Sequence, residues 1–247
     1  MTTFQKIVKY IATALAVFLT VIIISGALGL IALFTGISNA DATADDLKTY
    51  AVPQDVKNIV IDINAANLSI KKGESLSIES NINKLDILEK NGTLKIKEKR
   101  FFGLFYGSAV LTITVPENAS FESLSIKMGA GNITAESVNV TKGTVIESGI
   151  AKISVNGCSF NNLNLDSGVG GLDFNSKVTG KFEVSTGIGE SNITLPGKKS
   201  DYSVDVDKGL GSIIVDGEKV SELETKDGNL CKIEVDGGIG NISLNFK

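Results

Sequence analysis

The feature that most constrains this chain is a short triplet that recurs along its second half. Each copy consists of a glycine, an apolar residue and a small residue, and the first glycines are 20, 19, 19, 22 and 29 positions apart. Near-equal spacing with two longer steps is typical of loop variation on a repeated structural unit. The copies are Gly129-Ala130-Gly131, Gly149-Ile150-Ala151, Gly168-Val169-Gly170, Gly187-Ile188-Gly189, Gly209-Leu210-Gly211 and Gly238-Ile239-Gly240.

Apolar and polar residues alternate on both sides of each triplet. Of the twelve positions that lie five and three residues before a first glycine, eleven are apolar, and Thr144 is the exception. Matching apolar pairs follow the triplets, for example Ile133 and Ala135. Alternation with a period of two predicts β-strands that bury one face. Each unit is therefore predicted to be a strand, a glycine corner, a second strand and a turn.

Two all-β architectures accommodate such a unit. In a parallel β-solenoid each repeat is one coil, and equivalent strands stack about 4.8 Å apart; in a β-meander the same segments pair antiparallel. Matching residues at matching offsets favour the solenoid. We therefore predict an all-β fold, a parallel β-solenoid-like stack of short strands with glycine corners. The corner glycines are Gly129, Gly131, Gly149, Gly168, Gly170, Gly187, Gly189, Gly209, Gly211, Gly238 and Gly240.

A long uncharged segment precedes this region. Residues 10–37 carry no charge, and Lys6 and Lys9 come just before them. About 20 apolar residues span a bilayer, and flanking lysines mark the cytoplasmic side. We predict a single-pass cell-membrane protein with a cytoplasmic N-terminus and an extracytoplasmic C-terminal domain. The alternative is a signal peptide cleaved near Ala40 and Ala42, although its apolar core would be unusually long.

The predicted organisation follows from this segment and from the repeats. It comprises a short cytoplasmic tail (1–9), a transmembrane signal-anchor helix (10–37), an extracytoplasmic tether (38–54) and a β-strand repeat domain (55–247), which divides into an irregular β region (55–122) and glycine-cornered repeats (123–247).

Composition argues against several classes of function. Beyond the first 40 residues the chain has 22 basic residues (24 in the chain minus Lys6 and Lys9) against 28 acidic ones. This net charge of −6 repels nucleic-acid backbones. The absence of histidine rules out a Ser-His-Asp triad and imidazole metal ligands. We predict no catalytic residues, no cofactor and no metal site.

The two cysteines are predicted to be free. Cys158 and Cys231 fall in units three coils apart in chain order. Three steps of ~4.8 Å amount to about 14 Å, whereas the Cα atoms of a disulfide lie within about 7 Å.

An enzyme on polysaccharide would use clustered carboxylates, and the candidates are Asp166, Asp173, Asp207 and Asp236. Asp166, Asp207 and Asp236 each lie two residues before a corner glycine and would stack in a ladder with Glu147 and Ser185. Aspartate is also common in turns for structural reasons. The only arginine, Arg100, lies away from this region, so an enzyme is the least favoured interpretation.

An aromatic segment before the repeats has two interpretations. A basic cluster that ends at Arg100 is followed by several large apolar side chains. These could contact a membrane surface or a partner protein, or could cap the open end of the strand stack, which we favour. The residues of this candidate partner or cap loop are Arg100, Phe101, Phe102, Leu104, Phe105 and Tyr106.

The pattern Leu111-x-Ile113-x-Val115-Pro116, followed by Leu124-Ser125-Ile126 and Gly129-Ala130-Gly131-Asn132-Ile133, resembles a bacterial β-strand repeat family of unknown function. Its members are described as adhesin-like and occur on membrane-anchored surface proteins. The resemblance covers residues 55–247 and implies a cell-envelope location. In some members it implies a link to envelope stress, and it supplies no catalytic residues.

These observations lead to one main functional hypothesis and two alternatives. The main hypothesis is a non-enzymatic module for cell-surface interaction or envelope structure, with an envelope protein, a peptide or a wall polymer as partner. The first alternative is an accessory to an envelope-stress system that acts through a separate membrane protein. The second is the polysaccharide-acting enzyme. The oligomeric state stays open.

Overall fold

The computed structural model describes residues 47–99, 109–221, 223–225 and 230–247. These residues form one mixed β-sheet of sixteen strands, which confirms the all-β prediction. The strands are β1 Lys48–Ala51, β2 Asn58–Gly73, β3 Ser77–Ser80, β4 Leu85–Lys90, β5 Thr93–Glu98, β6 Val110–Pro116, β7 Ser120–Glu136, β8 Asn139–Val169, β9 Leu172–Ile188, β10 Ser191–Leu195, β11 Tyr202–Leu210, β12 Ile213–Val215, β13 Glu218–Val220, β14 Leu223–Thr225, β15 Cys231–Ile239 and β16 Ile242–Phe246.

The predicted cytoplasmic tail (1–9) and transmembrane helix (10–37) lie outside the described residues. Among the residues that are described, no helix has the length and apolar character needed to cross a membrane. Residues 38–54 were expected to be a tether, but their last part joins the sheet. Strand β1 pairs antiparallel with β3, and Tyr50 packs against the core.

Successive repeats pair in parallel and in register. Strand β2 pairs with β7, β7 with β8, β8 with β9, β9 with β15, and β15 with β11, all parallel. Equivalent apolar residues therefore stack in columns, as Ile61, Ile126 and Ile146 do. Each repeat forms one coil of the stack, and β8 is long enough to contribute to two coils.

The core is a single column of buried apolar side chains that runs through the coils. Phe160, Phe174 and Phe182 lie among its largest fully buried members. The ring centroids of Phe160 and Phe174 are 6.4 Å apart, and those of Phe174 and Phe182 are 4.7 Å apart. Tyr202 closes the core against Phe246 at 5.3 Å. Period-two alternation thus delivers the inward-facing apolar side chains of successive coils to one interior.

Antiparallel strands flank both ends of the stack. At the first end β2 is flanked by β5 and β6, and these pair antiparallel with β4 and β3 respectively. At the last end β11 pairs with β14, and β12 pairs with β13. The flanking strands cover the exposed edges that a plain stack would leave open.

Residues 55–122 were expected to be irregular, but they contain a regular repeat whose corner has no glycine. Strand β2 stacks on β7 with Ala65 opposite Ala130 and Ala66 opposite Gly131, so Asn64-Ala65-Ala66 is the first corner. A side chain at the first or third position of a corner would point toward the preceding coil. A Cβ on Gly129, for example, would lie 2.5 Å from the Asn64 carbonyl oxygen. Pairing of β2 with β5 ends at Asp62 and pairing with β6 begins at Asn67. No described strand lies before the first corner, so Cβ atoms fit there.

The last two repeats are stacked in the opposite order to the chain. Strand β15 lies between β9 and β11, so the repeat of Gly238 follows that of Gly187, and the repeat of Gly209 is outermost. The link from Pro196 to Asp201, which includes a 3-10 turn at Lys199–Asp201, steps over one coil position.

This order corrects the predicted separation of the two cysteines. Cys158 belongs to the coil of Gly168 and Cys231 to the coil of Gly238, which is two steps away rather than three. Both cysteines are free and buried, as expected.

A candidate interaction surface at the glycine corners

The corner glycines allow neighbouring coils to approach more closely than any side chain would permit. A Cβ on Gly170 would lie 1.8 Å from the Ala151 carbonyl oxygen, and one on Gly189 would lie 1.5 Å from that of Gly170. Both glycines also have positive φ, 141° and 151°. Contacts below 3 Å to backbone cannot be relieved by side-chain movement. Two rows of glycine backbone, interrupted among the six triplets only by Ala151, therefore run along this corner of the stack.

Between these two glycine rows runs a line of aliphatic side chains, which we call the corner ridge. It consists of the middle residue of each triplet. Adjacent members pair directly, as in Val169 with Ile188, Ile188 with Ile239, and Ile239 with Leu210. In stacking order the ridge is Ala130, Ile150, Val169, Ile188, Ile239 and Leu210.

The corner ridge becomes more exposed toward the last coil. Ala130 is buried at 7%, whereas Ile188 is 51%, Ile239 is 50% and Leu210 is 71% exposed. These last three are among the few large apolar side chains of the described chain that face solvent. Contiguous exposed apolar side chains are characteristic of interaction sites rather than of ordinary surface. The ridge is therefore the candidate functional site.

A charged ladder lies beside the ridge, three residues earlier in each coil. The predicted stacking of corner aspartates is present, with Asp166 opposite Ser185, Ser185 opposite Asp236, and Asp236 opposite Asp207. The complete ladder in stacking order is Asp62, Lys127, Glu147, Asp166, Ser185, Asp236 and Asp207.

Charge along this ladder is balanced at one end and acidic at the other. Near the first coil, Lys97 lies 3.3 Å from Asp62, and Lys127 lies 3.0 Å from Glu147. Asp166, Asp236 and Asp207 are exposed and form no ion pair with another described residue. The exposed half of the corner ridge is thus accompanied by carboxylates that no cation among the described residues pairs with.

A groove occupies the other half of this corner, where the ridge residue is Ala130. Its cavity volume is about 450 Å³, and its lining includes the glycines Gly129, Gly149 and Gly168 together with Asp62 and Glu147. Within the described residues no group of three or more His, Cys, Asp or Glu side chains is placed to hold a metal ion. The groove offers carboxylates, one ammonium group and bare backbone, a set suited to binding.

A second group of charges holds neighbouring coils together. The Lys181 ammonium lies 2.5 Å from Glu183 and 2.8 Å from Glu234, which also pairs with Lys232. The hydrogen bonds from Lys181 and then Lys232 lower the pKa of Glu234. The hydrogen bonds that Lys181 donates to Glu183 and then to Glu234 raise the pKa of Lys181. Since these charges are already paired, we assign them a structural role.

The aromatic segment predicted to be a partner or cap loop lies outside the described residues, from Arg100 to Tyr106. Its flanks are described, and both reach the first corner. The Asn64 N–H donates to the Glu98 carboxylate at 2.7 Å, and the Asn67 N–H donates to the Ala109 carbonyl oxygen at 2.8 Å. Strands β5 and β6 therefore follow the first coil on either side of its corner.

Sequence reasoning identified the glycines of the triplets but did not assign a role to their middle residues. The signal was present, because Ile188, Ile239 and Leu210 are aliphatic at a position that the alternation of the strand after each triplet places outside the core. Their proximity depends on the stacking order, which brings Ile239 between the other two.

The parallel, in-register repeats define an all-β repeat protein. The chain belongs to the Toastrack DUF4097 family, whose model matches residues 56–246. This confirms the resemblance to the bacterial β-strand repeat family.

Two solved structures of bacterial proteins are similar to this chain. One, provisionally described as a cell adhesion protein of Clostridium sporogenes, is 17% identical, covers 81% of this chain and 99% of its own, and has a TM-score of 0.50. Another, provisionally described as an adhesin of Bacteroides fragilis, is 12% identical, covers 80% and 95%, and has a TM-score of 0.43. At 17% identity the likeness to the Clostridium sporogenes structure concerns the fold alone. No curated protein matches the chain at a significant level.

Proposed function

We propose that this chain is a non-enzymatic, membrane-anchored extracytoplasmic module that binds a protein partner through the corner ridge. The observation that carries the proposal is the row of Ile188, Ile239 and Leu210, stacked side by side and exposed by half or more. Anchoring rests on the uncharged residues 10–37 and the lysines before them. The provisional description of the Clostridium sporogenes structure as a cell adhesion protein agrees with a binding role.

The chemistry of the ridge favours a protein over a wall polymer. Burying aliphatic side chains yields about 25 cal/mol per Å² of apolar surface, and a polymer of sugars presents little apolar surface to match it. The uncompensated Asp166, Asp236 and Asp207 favour basic groups on the partner. The expected partner segment therefore carries aliphatic side chains beside lysine or arginine.

The position of the ridge within the stack suits such a role. Strand β1, the first described element, lies at the β2 end of the sheet. Leu210 lies in the outermost coil at the other end, which is six coil steps from the coil of β2, a distance of ~29 Å. A partner can therefore reach the exposed ridge without contacting the end at which the chain enters the domain.

The arrangement of carboxylates supports binding rather than catalysis. The ladder places one residue per coil in a single row at intervals of ~4.8 Å, and five of its seven residues are acids. Glycoside hydrolysis uses a pair of carboxylates on opposite sides of the scissile bond. A single row, even where it lines the groove, does not place carboxylates on opposite sides of a substrate.

Site-specific photo-cross-linking in intact cells tests this proposal. A photoreactive residue at Leu210 is compared with one at Lys152, an exposed position in another coil. We expect one protein adduct at Leu210, absent at Lys152, whose cross-linked peptide carries aliphatic and basic residues. The adduct should weaken when Asp207 and Asp236 are both changed to Asn.

Other outcomes would overturn the proposal. Adducts to wall polymer or lipid instead of protein would remove the protein partner, and equal adducts at Leu210 and Lys152 would remove the ridge as the site. Changing Ile188, Ile239 and Leu210 to Ser should abolish the adduct formed from a photoreactive residue at Asp236. Because these side chains are exposed, the unfolding free energy should change by no more than about 0.5 kcal/mol per substitution.

A further inference from the structure

Strand β4 is an edge strand with an open side. Within the described chain it pairs only with β5, antiparallel. Leu85 and Ile87 turn inward and pack against the core. On the opposite face Asp86, Leu88 and Lys90 are exposed, with Leu88 at 56%. An open strand edge with a large exposed apolar residue at its centre is a template for pairing with another strand.

Hydrogen bonding to β5 determines which residues can pair on the open side. The Lys99 N–H donates to the Lys84 carbonyl oxygen at 2.9 Å, so Lys84 directs its backbone groups toward β5. Every second residue does the same, including Leu88. Leu85, Ile87 and Glu89 therefore direct their N–H and C=O groups toward the open edge. Directly opposed residues in an antiparallel pair must both point toward, or both away from, the partner strand.

This rule restricts how two copies of β4 can pair about a two-fold axis. The axis must pass through a residue, not between two. An axis at Leu88 places Leu88 opposite Leu88 of the second copy. It also creates two symmetry-related pairs in which Asp86 of one copy lies opposite Lys90 of the other. An axis at Ile87 would instead oppose Lys84 and Lys90. Opposite charges across strands stabilise a pair and like charges destabilise it, so the charges select the axis at Leu88.

We propose that the chain self-associates as a two-fold dimer through antiparallel pairing of β4 with β4 of a second copy, centred on Leu88. Charged residues on an edge strand usually prevent such pairing. Here Asp86 and Lys90 lie symmetrically about Leu88, so the strand is complementary to itself. The proposal is independent of the corner ridge, to which β4 does not belong, and concerns a second interaction surface.

Disulfide cross-linking of the full chain in a mild detergent tests the contact directly. The variant Leu88→Cys should form a disulfide-linked dimer under mild oxidation, because residues on the axis form a close, non-hydrogen-bonded pair. Lys95→Cys is the matched control, since Lys95 is the β5 partner of Leu88. Two Lys95 positions would be about 14 Å apart, from three strand spacings. The wild-type chain, whose cysteines are buried, serves as the blank.

A dimer of Leu88→Cys without one of Lys95→Cys is the expected result. Equal cross-linking of the two variants, or none at Leu88→Cys, would overturn the proposal.

Charge reversal distinguishes this pairing from association through any other part of the chain. Asp86→Lys and Lys90→Asp each place like charges opposite one another, and each should weaken the dimer roughly tenfold in sedimentation velocity. The double variant Asp86→Lys/Lys90→Asp restores opposite charges and should recover wild-type association. Single variants that associate normally, or a double variant no better than the singles, would contradict the register. All these positions are exposed, so unfolding free energies should stay within about 1 kcal/mol of the wild type, including for Asp86→Lys, which also faces Lys97 of β5.

Discussion

A Cβ atom on Gly240 would lie 1.7 Å from the carbonyl oxygen of Gly189 in the neighbouring coil. Gly240 also has a φ of 146°, a region that side-chain-bearing residues rarely adopt. The same relationship recurs between other pairs of coils, for example between Gly211 and Gly240 at 1.8 Å. The glycine corner is thus the point at which coil spacing is least able to accommodate a substitution.

Gly240→Ala should therefore strongly destabilise the protein. Positive φ and a backbone clash act together, and we expect a loss of about 3 kcal/mol or more in the free energy of unfolding. Gly143→Ala is the matched control, because a Cβ there meets nothing within 4 Å, and it should change stability by less than about 1 kcal/mol. Urea denaturation monitored by circular dichroism measures both, and equal effects would refute this account of the corner.

Thr144→Val should stabilise the protein. Thr144 is 2% exposed, and its hydroxyl has no hydrogen-bond partner among the described residues. Valine has nearly the same shape and removes the unsatisfied polar group, so we expect a gain of about 1 kcal/mol. Thr144→Ser keeps the hydroxyl, loses a buried methyl and should destabilise. A valine variant that unfolds at lower urea concentration than the wild type would show that the hydroxyl is satisfied.

Acid should weaken the Lys181–Glu234 contact. The hydrogen bonds that Glu234 accepts lower its pKa below the ordinary value of 4.5. The stabilisation that this contact gives the folded state is therefore fully present at any pH above that ordinary pKa. It is lost as the pH falls through the lower pKa of the folded state. Glu234→Gln should therefore melt below the wild type at neutral pH and converge with it in acid. Melting temperatures across that range provide the measurement, and a gap that widens in acid would contradict the sign.

Both thiols should be unreactive in the folded protein. Burial raises the pKa of the Cys158 thiol and raises that of Cys231 to about 11, and only the thiolate reacts. A thiol reagent at mildly alkaline pH should therefore modify neither cysteine in native protein and both in denaturant. Fast modification of one thiol in the native state would place that cysteine at the surface.

Some features of the fold could be predicted because they depend on neighbours in the chain. Alternation around Ile133 and Ala135 predicts which face is buried, and the equal spacing of the triplets indicates that their strands stack in parallel. The repeat at Asn64-Ala65-Ala66 could not be found in this way. Its distinguishing mark, glycine, is required only where another coil lies on the side to which the Cβ points.

The candidate surface was predicted only in part. The ladder of Asp166, Asp236 and Asp207 follows from their common offset to the corner glycines. The local charge of the ladder does not follow from that offset, because Lys127 and Lys97 compensate only the carboxylates near the first coil. Likewise, the ridge residues are visible in each triplet, but their exposure depends on how many neighbours surround each one.

By itself, the sequence determined the repeat unit, its strand facing and its parallel register, because these depend on side-chain alternation and on backbone freedom at glycine, which act over a few residues. Tertiary structure decided the order of the coils, with the repeat of Gly238 inserted before that of Gly209, and with it the joining of Ile188, Ile239 and Leu210 into one ridge. Several strand edges present the same hydrogen-bonding pattern, and the order of the coils depends on which of these edges pair. Local sequence hardly distinguishes those edges, so pairing across the whole sheet selects among them.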